Sequence, residues 1–325
     1  MTLKHHPFLF IALLCVLLLI SLLFALSSGS TSHSFSPLLD IFNGSASPFQ
    51  HSLIMDLRLP RALAAFAAGA LLSLAGALMQ VLLKNPLADP YVLGVSGGSA
   101  LAALLAMLAG ANSFILTGSA FLGALLSIFL VFSFAHSHGS WTITRLLLTG
   151  IILASGWGAL ISFVLVIAPA EKIHGMLFWL MGDLSYDRPL LIPYLMLFFG
   201  LSYALLISRQ LNILLWGDLQ AASLGINTHR LRIHIFFLSS FLTAGAISLA
   251  GSIGFVGLVI PHLVRLIIGN DHRLLLPASA LLGGALLLIA DTLARTIMAP
   301  QQLPVGILTA LIGVPLFLYL LRRSQ

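Results

Sequence analysis

Apolar residues occur along this chain in long blocks that are separated by short polar connections. In the block Ala62–Leu83, Gln80 is the only polar side chain larger than serine. A bilayer core of ~30 Å requires ~20 residues of apolar helix, so the blocks predict membrane spans. The predicted spans, ten in all, are Phe8–Leu26, Ala62–Leu83, Val92–Leu108, Phe114–Phe134, Leu146–Ile167, Leu190–Ile207, Ile233–Leu249, Ile253–Ile268, Leu274–Met298 and Val305–Leu321.

The block pattern indicates an all-α membrane protein. Backbone groups in lipid must pair internally, and a barrel would show short alternating segments instead. No polar connection exceeds roughly thirty residues, so residues 1–325 form a single transmembrane domain. The first block follows Lys4 and two histidines, as in a secretory signal, but it is long enough to be kept as a span. Cleavage near Ser27 is the alternative.

Composition agrees with a membrane location. Only 7% of the residues are charged and 59% are hydrophobic, whereas soluble domains carry about a quarter charged residues. Cys15 is the only cysteine, so no intrachain disulfide can form. The net charge of +6 arises from scattered basic residues beside apolar blocks, which indicates membrane orientation rather than nucleic-acid binding.

The basic residues predict that both termini are cytoplasmic, because lysine and arginine concentrate in inside loops. With the N-terminus inside, ten of the fifteen lie inside: Lys4, Lys84, Arg145, Arg209, Arg230, Arg232, Arg265, Arg273, Arg322 and Arg323. The other five lie outside: Arg58, Arg61, Lys172, Arg188 and Arg295.

Two similar segments suggest an internal repeat. Residues 68–76 read AGALLSLAG, and residues 244–251 read AGAISLAG. They lie five spans apart and so run in opposite directions, which would make spans two to five and seven to ten inverted repeats. The alternative is that small residues recur in any packed membrane helix.

Two polar connections on the predicted inside carry distinctive residues. Residues 84–98 read KNPLADPYVLGVSGG, where two prolines interrupt helix and the glycines allow unusual dihedrals. We interpret this stretch as a broken passage that serves as a gate or as a plain turn. Residues 208–232 form the longest inside connection and contain a short amphipathic helix that ends at Gly225. That helix could lie on the membrane surface or dock into a partner.

Other polar residues favour structural roles. His136 and His138 could suit a metal, but no carboxylate is near in sequence, so we expect a solvated loop and no metal site. Asp183 and Asp187 are expected to be solvated beside an outside turn. No Gly-x-x-x-x-Gly-Lys-Ser/Thr loop is present, so any ATP that drives this protein binds to another polypeptide, and no cofactor is expected.

An ordered set of motifs resembles the permease family of ABC importers for ferric siderophores, haem and cobalamin. The motifs are RLPR from Arg58, NPLADP from Asn85, LGVSGG from Leu93, Gly217–Gly225, GFVGLVIPH from Gly254, DHR from Asp271, ADTLAR from Ala290 and LPVG from Leu303. The resemblance covers nearly all of the chain from Arg58 to Leu321. It implies ten helices per subunit, a homodimer or paired permease with a pathway between the subunits, two cytoplasmic ATPase subunits and a periplasmic binding protein.

The candidate site residues follow from these features. The ATPase-coupling residues are Gly217, Asp218, Ala221, Leu224 and Gly225. The cytoplasmic gate residues are Asn85 and Leu87, with Thr144 placed there by the resemblance. Arg58, Arg61 and Arg295 are the candidate docking residues for the binding protein, because they break the positive-inside trend and the resemblance places contacts there.

This chain departs from the family pattern at three positions. Members usually carry Glu where Asp218 lies, often Arg where Ala222 lies, and a small polar residue where Ile143 lies. The first two departures affect the detailed contact with the ATPase, and the third lies in the gate segment beside Thr144.

The resemblance predicts the permease of an ATP-driven importer in a bacterial inner membrane that moves a ferric siderophore or a similar metal chelate. Cobalamin and haem are the alternative cargoes. An ion-coupled secondary transporter is a rival, but it would need several buried acids, and Asp291 is the only acid well within the spans. A zinc or manganese permease should show more histidines or acids along its path.

Overall fold

The computed structural model describes residues 7–29, 36–136, 142–184 and 189–323, and its regular elements are helices. The helices in chain order are α1 (Pro7–Ser27), α2 (Ser36–Phe42), α3 (Pro48–Ser52), α4 (Leu59–Leu82), α5 (Val95–Leu108), α6 (Ser113–Ala135), α7 (Ile143–Ile167), α8 (Ala170–Leu180), α9 (Leu191–Leu206), α10 (Ser208–Leu214), α11 (Asp218–Ser223), α12 (Thr228–Ala250), α13 (Val256–Ile268), α14 (His272–Thr296) and α15 (Val305–Arg323). A π-helical segment, Leu53–Arg58, leads into α4, and a 3-10 turn, Pro90–Leu93, precedes α5.

Each predicted span coincides with a helix, but the helices differ in length. Within the described residues, six are long and apolar enough to cross a membrane, and a seventh is gained if α9 and α10, bent by 57°, form one span. Helices α5 and α13 have only 14 and 13 residues, so each rises ~20 Å and covers part of a bilayer core. The all-helical fold is confirmed, whereas ten complete crossings stay a prediction.

Helix α4 is the centre of the molecule. Its residues from Ala67 to Leu82 are all buried, and it packs against α12, α13 and α14. Small residues make these close approaches possible. A Cβ atom on Gly76 would overlap the Gly257 carbonyl of α13, and one on Gly69 would overlap the Gly283 carbonyl of α14.

The two halves of the chain repeat one order of elements. Helices α4 to α7 have 24, 14, 23 and 25 residues, and α12 to α15 have 23, 13, 25 and 19. Each half has a non-helical break before its short helix. This correspondence is what inverted repeats require, and the symmetry itself stays a prediction.

Four residues discussed above, Lys4, His138, Asp187 and Arg188, lie outside the described residues. Asp183 lies within the described residues and is only 9% exposed. The expectation that it is solvated is therefore wrong. Its backbone N–H donates to the Ala250 carbonyl oxygen at 2.9 Å, where a non-helical segment meets the end of α12. His136 is exposed at the C-terminal end of α6.

Candidate functional site

The stretch after α4, residues 84–94, is called the proline passage below. Lys84, two residues after the end of α4, has a positive φ of 50°, which is uncommon for residues other than glycine, asparagine and aspartate. Gly94 has φ 70° and leads into α5. The predicted interruption of helix is confirmed, although helix resumes at Val95, earlier than the end of the predicted passage at Gly98.

The passage is built on its own polar side chains. Asn85 accepts a hydrogen bond from the Leu87 N–H at 2.9 Å, and Asp89 accepts one from the Tyr91 N–H at 2.7 Å. Burial raises the pKa of Asp89 to about 6, although the bond from Tyr91 opposes the shift. Of the predicted gate residues in this stretch, Asn85 is exposed and Leu87 is partly buried.

The passage contacts α7, where the third predicted gate residue lies. A Cβ atom on Gly150 of α7 would clash with the backbone of Val92 and Leu93, so the passage and the helix are in close contact. Thr144 is exposed in the first turn of α7. All three predicted gate residues therefore lie on segments that touch each other, while their movement is untested.

A second break, residues 251–255, follows α12 and is called the central break. Gly251 has φ 71° and Phe255 has φ 69°, a conformation that is strained for a bulky residue. The Ile253 N–H donates to the Tyr91 hydroxyl at 3.2 Å, so the central break contacts the proline passage directly.

A third non-helical segment, residues 181–184, contacts the start of α15. The Val305 N–H donates to the Gly182 carbonyl oxygen at 3.1 Å, and the Gly306 N–H donates to the Met181 carbonyl oxygen at 3.0 Å. Non-helical backbone at membrane depth is tolerated where it is buried in protein or lines a cavity. Sequence reasoning missed this junction, although the glycines at 182, 251, 254 and 306 were a usable signal.

The connection between α9 and α12 contains the predicted short helix, α11. Gly217 precedes it with φ 118° and Gly225 follows it with φ 80°, and only glycine adopts such angles without strain. Ala221 is fully buried and anchors the helix on the body of the protein, so it cannot face a partner in this structure.

The outer face of this connection is apolar and exposed. Trp216 is 71% exposed, Leu219 is 85% exposed and Leu224 is 59% exposed. Exposed apolar side chains in a connection between membrane spans are typical of an interaction surface. These three residues are called the apolar loop face.

An ion triad ties α11 to the proline passage and to α12. Asp218 accepts from Lys84 Nζ at 2.9 Å and from Arg232 Nη2 at 2.7 Å. Partial burial raises the pKa of Asp218, but the bonds from Lys84 and Arg232 outweigh this effect and hold that pKa below its usual value. The triad joins the start of α11 to the first residue of the proline passage and to α12.

Two of the three candidate docking arginines pair with Asp291, and the third binds α1. Arg61 donates to Asp291 at 2.9 Å, and Arg295, four residues after Asp291 on α14, forms an ion pair with it at 3.2 Å. Arg58 donates to the Leu26 carbonyl oxygen at 2.6 Å. The residues Arg58 and Arg295 are only 5% and 7% exposed, so in this structure they hold α1, α4 and α14 together rather than present an open basic patch.

Acidic and metal-ligating residues are sparse elsewhere. Within the described ranges, no three histidine, cysteine, aspartate or glutamate side chains come together as a metal site. The only free cysteine there, Cys15, is exposed on α1.

A bundle of apolar helices that is interrupted at its centre by buried non-helical segments is typical of a polytopic transport permease. The chain belongs to the FecCD transport family, whose model matches residues 17–323.

Relatives and a solved structure agree with this family. The cobalamin import system permease protein BtuC of Halobacterium salinarum is 42% identical, over 84% of this chain and 74% of that protein. The hemin transport system permease protein HmuU of Yersinia pestis is 38% identical, over 99% and 98%. The Fe(3+)-citrate import system permease protein YfmE of Bacillus subtilis is 38% identical, over 98% and 96%.

A solved structure described as a metal-chelate type ABC transporter in an inward-facing conformation superposes with a TM-score of 0.85 at 34% identity, covering 97% of this chain and 99% of that one. The chain is therefore a multi-pass permease subunit of the ABC importer class, and it is a transport subunit rather than the ATPase.

Proposed function

We propose that this permease imports a ferric siderophore or a similar metal chelate across a bacterial inner membrane, with both termini in the cytoplasm. The observation that carries the proposal is the apolar loop face, which gives a membrane permease an exposed surface for a soluble partner. Two cytoplasmic ATPase subunits dock there, and the surface of α11 receives their movements. The similarity to hemin, cobalamin and Fe(3+)-citrate permeases supports a chelate as cargo.

The transported molecule passes between two copies of the chain. Helix α7 supports this part of the proposal, because Leu146, Gly150 and Val164 are its only buried residues. Exposed small residues repeat along one of its faces at 155, 158, 159 and 162, and such faces allow membrane helices to approach closely. A homodimer would bring two such faces together beside the proline passages.

The proline passage and Thr144 form the cytoplasmic gate in this proposal. The ion triad supports it, because Asp218 on α11 is bonded to Lys84 at the start of the passage. Movement of α11 by the ATPase would therefore be transmitted to the passage.

A periplasmic binding protein delivers the chelate at the opposite end. The docking residues proposed there are Arg58, Arg61 and Arg295, and Arg61 is the most accessible of them, with 15% of its side chain exposed. Arg61 also donates to the Gln302 side chain at 3.0 Å. Because Arg58 and Arg295 are buried, docking through them requires the Asp291 cluster to open.

Uptake by cells identifies the cargo. Cells that lack their own chelate permeases are given this chain with its ATPase and binding protein, and radiolabelled ferric siderophore, haem and cobalamin are offered in turn. Accumulation of the ferric siderophore above the level without this chain is expected. Accumulation of cobalamin or haem alone would replace the siderophore assignment by one of those cargoes.

A further inference from the structure

An apolar groove of about 480 Å³ lies between α6, α9 and α12. Phe129 and Phe132 of α6 form one wall, and Phe237 and Phe241 of α12 form the other. Its volume lies within the range of ~300–1,000 Å³ that small-molecule sites occupy. Because the helices that line it belong to the membrane part of the chain, the surrounding bilayer can reach it.

One end of the groove is polar. The Tyr203 hydroxyl of α9 and the His234 Nδ1 atom of α12 are joined by a hydrogen bond of 2.8 Å. His136, at the end of α6, has its ring 5.6 Å from that of Phe132.

Arg230 extends this polar end by one turn of α12. It lies four residues before His234 and therefore on the same face of the helix. Its side chain is exposed, and none of the ion pairs among the described residues includes it. Arg230 does not itself line the groove, and it places an exposed cation one helical turn beyond the groove's polar end.

The polar end coincides with the ends of the helices. The ring centroids of Phe132 on α6 and Phe237 on α12 are 5.1 Å apart, and those of Phe121 and Phe241 are 6.0 Å apart. The later residue of α6 pairs with the earlier residue of α12, so the two helices run antiparallel. The C-terminal end of α6 therefore lies beside the N-terminal end of α12. Away from these ends, the groove walls are hydrocarbon and aromatic.

We propose that this groove binds one anionic phospholipid of the bilayer. An acyl chain lies between the phenylalanines of α6 and α12, and the phosphate is held by Arg230 and the His234–Tyr203 pair. A phospholipid fits because it joins a long apolar chain to an anion, in the order in which the groove joins its apolar walls to its polar end and to Arg230 beyond it. The site does not depend on which cargo the permease carries.

Native mass spectrometry of the purified full-length chain tests this site by counting phospholipids that remain bound. The chain is exchanged into detergent with phosphatidylglycerol or phosphatidylcholine, and more phosphatidylglycerol is expected to stay bound. The variant Arg230→Gln should bind phosphatidylglycerol about fivefold more weakly, because one basic group near an anionic lipid contributes about 1 kcal/mol. Arg145→Gln is the matched control, since Arg145 is exposed at the start of α7 and does not line the groove.

A second variant tests the apolar part. Leu238→Trp fills the groove and should lower the retention of both lipids, while the melting temperature shows that the variant is folded. Equal phosphatidylglycerol retention by the unmodified chain and by either groove variant would overturn the proposal.

A second copy of the chain is the other possible occupant. Phe129→Cys in a Cys15→Ser background reports on it, because two copies that cover each other's groove would form a disulfide in membranes. Such a linked pair would also overturn the lipid assignment, whereas cysteines that stay unlinked support it.

Discussion

At the level of single residues, Asp291 is the buried charge that joins α14 to α4. It is 1% exposed and neutralises part of the charge of Arg61 and Arg295. Removing one partner of a buried ion pair typically costs about 3–5 kcal/mol, because the remaining charge stays buried. Asp291→Asn should therefore lower the melting temperature of the purified permease clearly.

The control for this variant is Asp56→Asn. Asp56 is exposed and bonded to the Ser52 hydroxyl, so its replacement should change stability by less than about 0.5 kcal/mol. Equal melting temperatures of the two variants would contradict a structural role for the Asp291 cluster.

Asp218 is expected to affect coupling more than stability. Its side chain and that of Lys84 are each 42% exposed, and exposed ion pairs contribute about 0–1 kcal/mol. Asp218→Asn should lower the amount of cargo moved per ATP hydrolysed while the melting temperature changes little. Asp218→Glu, which keeps the charge, should restore the ratio.

A double-mutant comparison separates the triad from other effects of position 218. If the triad transmits movement, Asp218→Asn and Arg232→Gln together should reduce the transport-to-hydrolysis ratio by less than the product of their separate effects. Independent effects would show that the two side chains do not act together.

Some of these features of single residues could be predicted from the sequence, and others could not. The need for glycine at 217 and 225 could be predicted, because a short helix must begin and end there. The burial of Arg58, Arg295 and Asp183 could not, because it depends on helices that are distant in sequence. The Asp291–Arg295 pair was visible as an i,i+4 spacing, whereas the contribution of Arg61 across 230 residues was not.

At the level of elements, α11 is the surface on which the proposed partner acts. Leu224→Asp places a charge on the apolar loop face, where a docked ATPase would leave it without water. We expect loss of ATPase copurification and of ATP-driven uptake. Phe49→Asp is the control, because Phe49 is 76% exposed on α3, which is remote in sequence from the coupling connection. Normal copurification and uptake with Leu224→Asp would remove α11 from the docking surface.

The proline passage should change its accessibility during the transport cycle. Single cysteines at residues 85 and 144, in a Cys15→Ser background, are labelled with a water-soluble thiol reagent with and without ATP. Labelling rates at both positions should depend on nucleotide, while a cysteine at the exposed Asn112, beyond the other end of α5, should not respond. Rates that are constant in every nucleotide state would contradict a moving gate.

The apolar blocks predicted where the helices lie. They did not predict which helices are long enough to cross a membrane. The long helices α1, α6 and α7 match their predicted spans because apolar length alone defines them. The short helices α5 and α13 were predicted as spans that begin at Val92 and Ile253, before the helices themselves, because the residues there are apolar too. Hydrophobicity does not indicate that the α-helix is interrupted at residues 90–94 and 251–255. The prolines and glycines in these stretches do indicate it.

At the level of the whole molecule, the two halves place a long helix, a break and a short helix in the same order, and the breaks touch through Tyr91 and Ile253. In the proposed function, small shifts of either half open a pathway that runs beside this junction. The family was recognisable from the ordered motifs. The choice of cargo was not, because no residue of the chain recognises a chelate by its own chemistry.

The central claim is that ATP hydrolysis by a separate subunit drives this permease. The most direct test measures uptake of ferric siderophore into proteoliposomes that contain the permease and its ATPase, with binding protein outside and ATP inside. Uptake should require ATP and should stop when the ATPase is omitted or carries an inactivating substitution in its nucleotide site. A proton or sodium gradient that drives the same uptake without ATP would contradict the account.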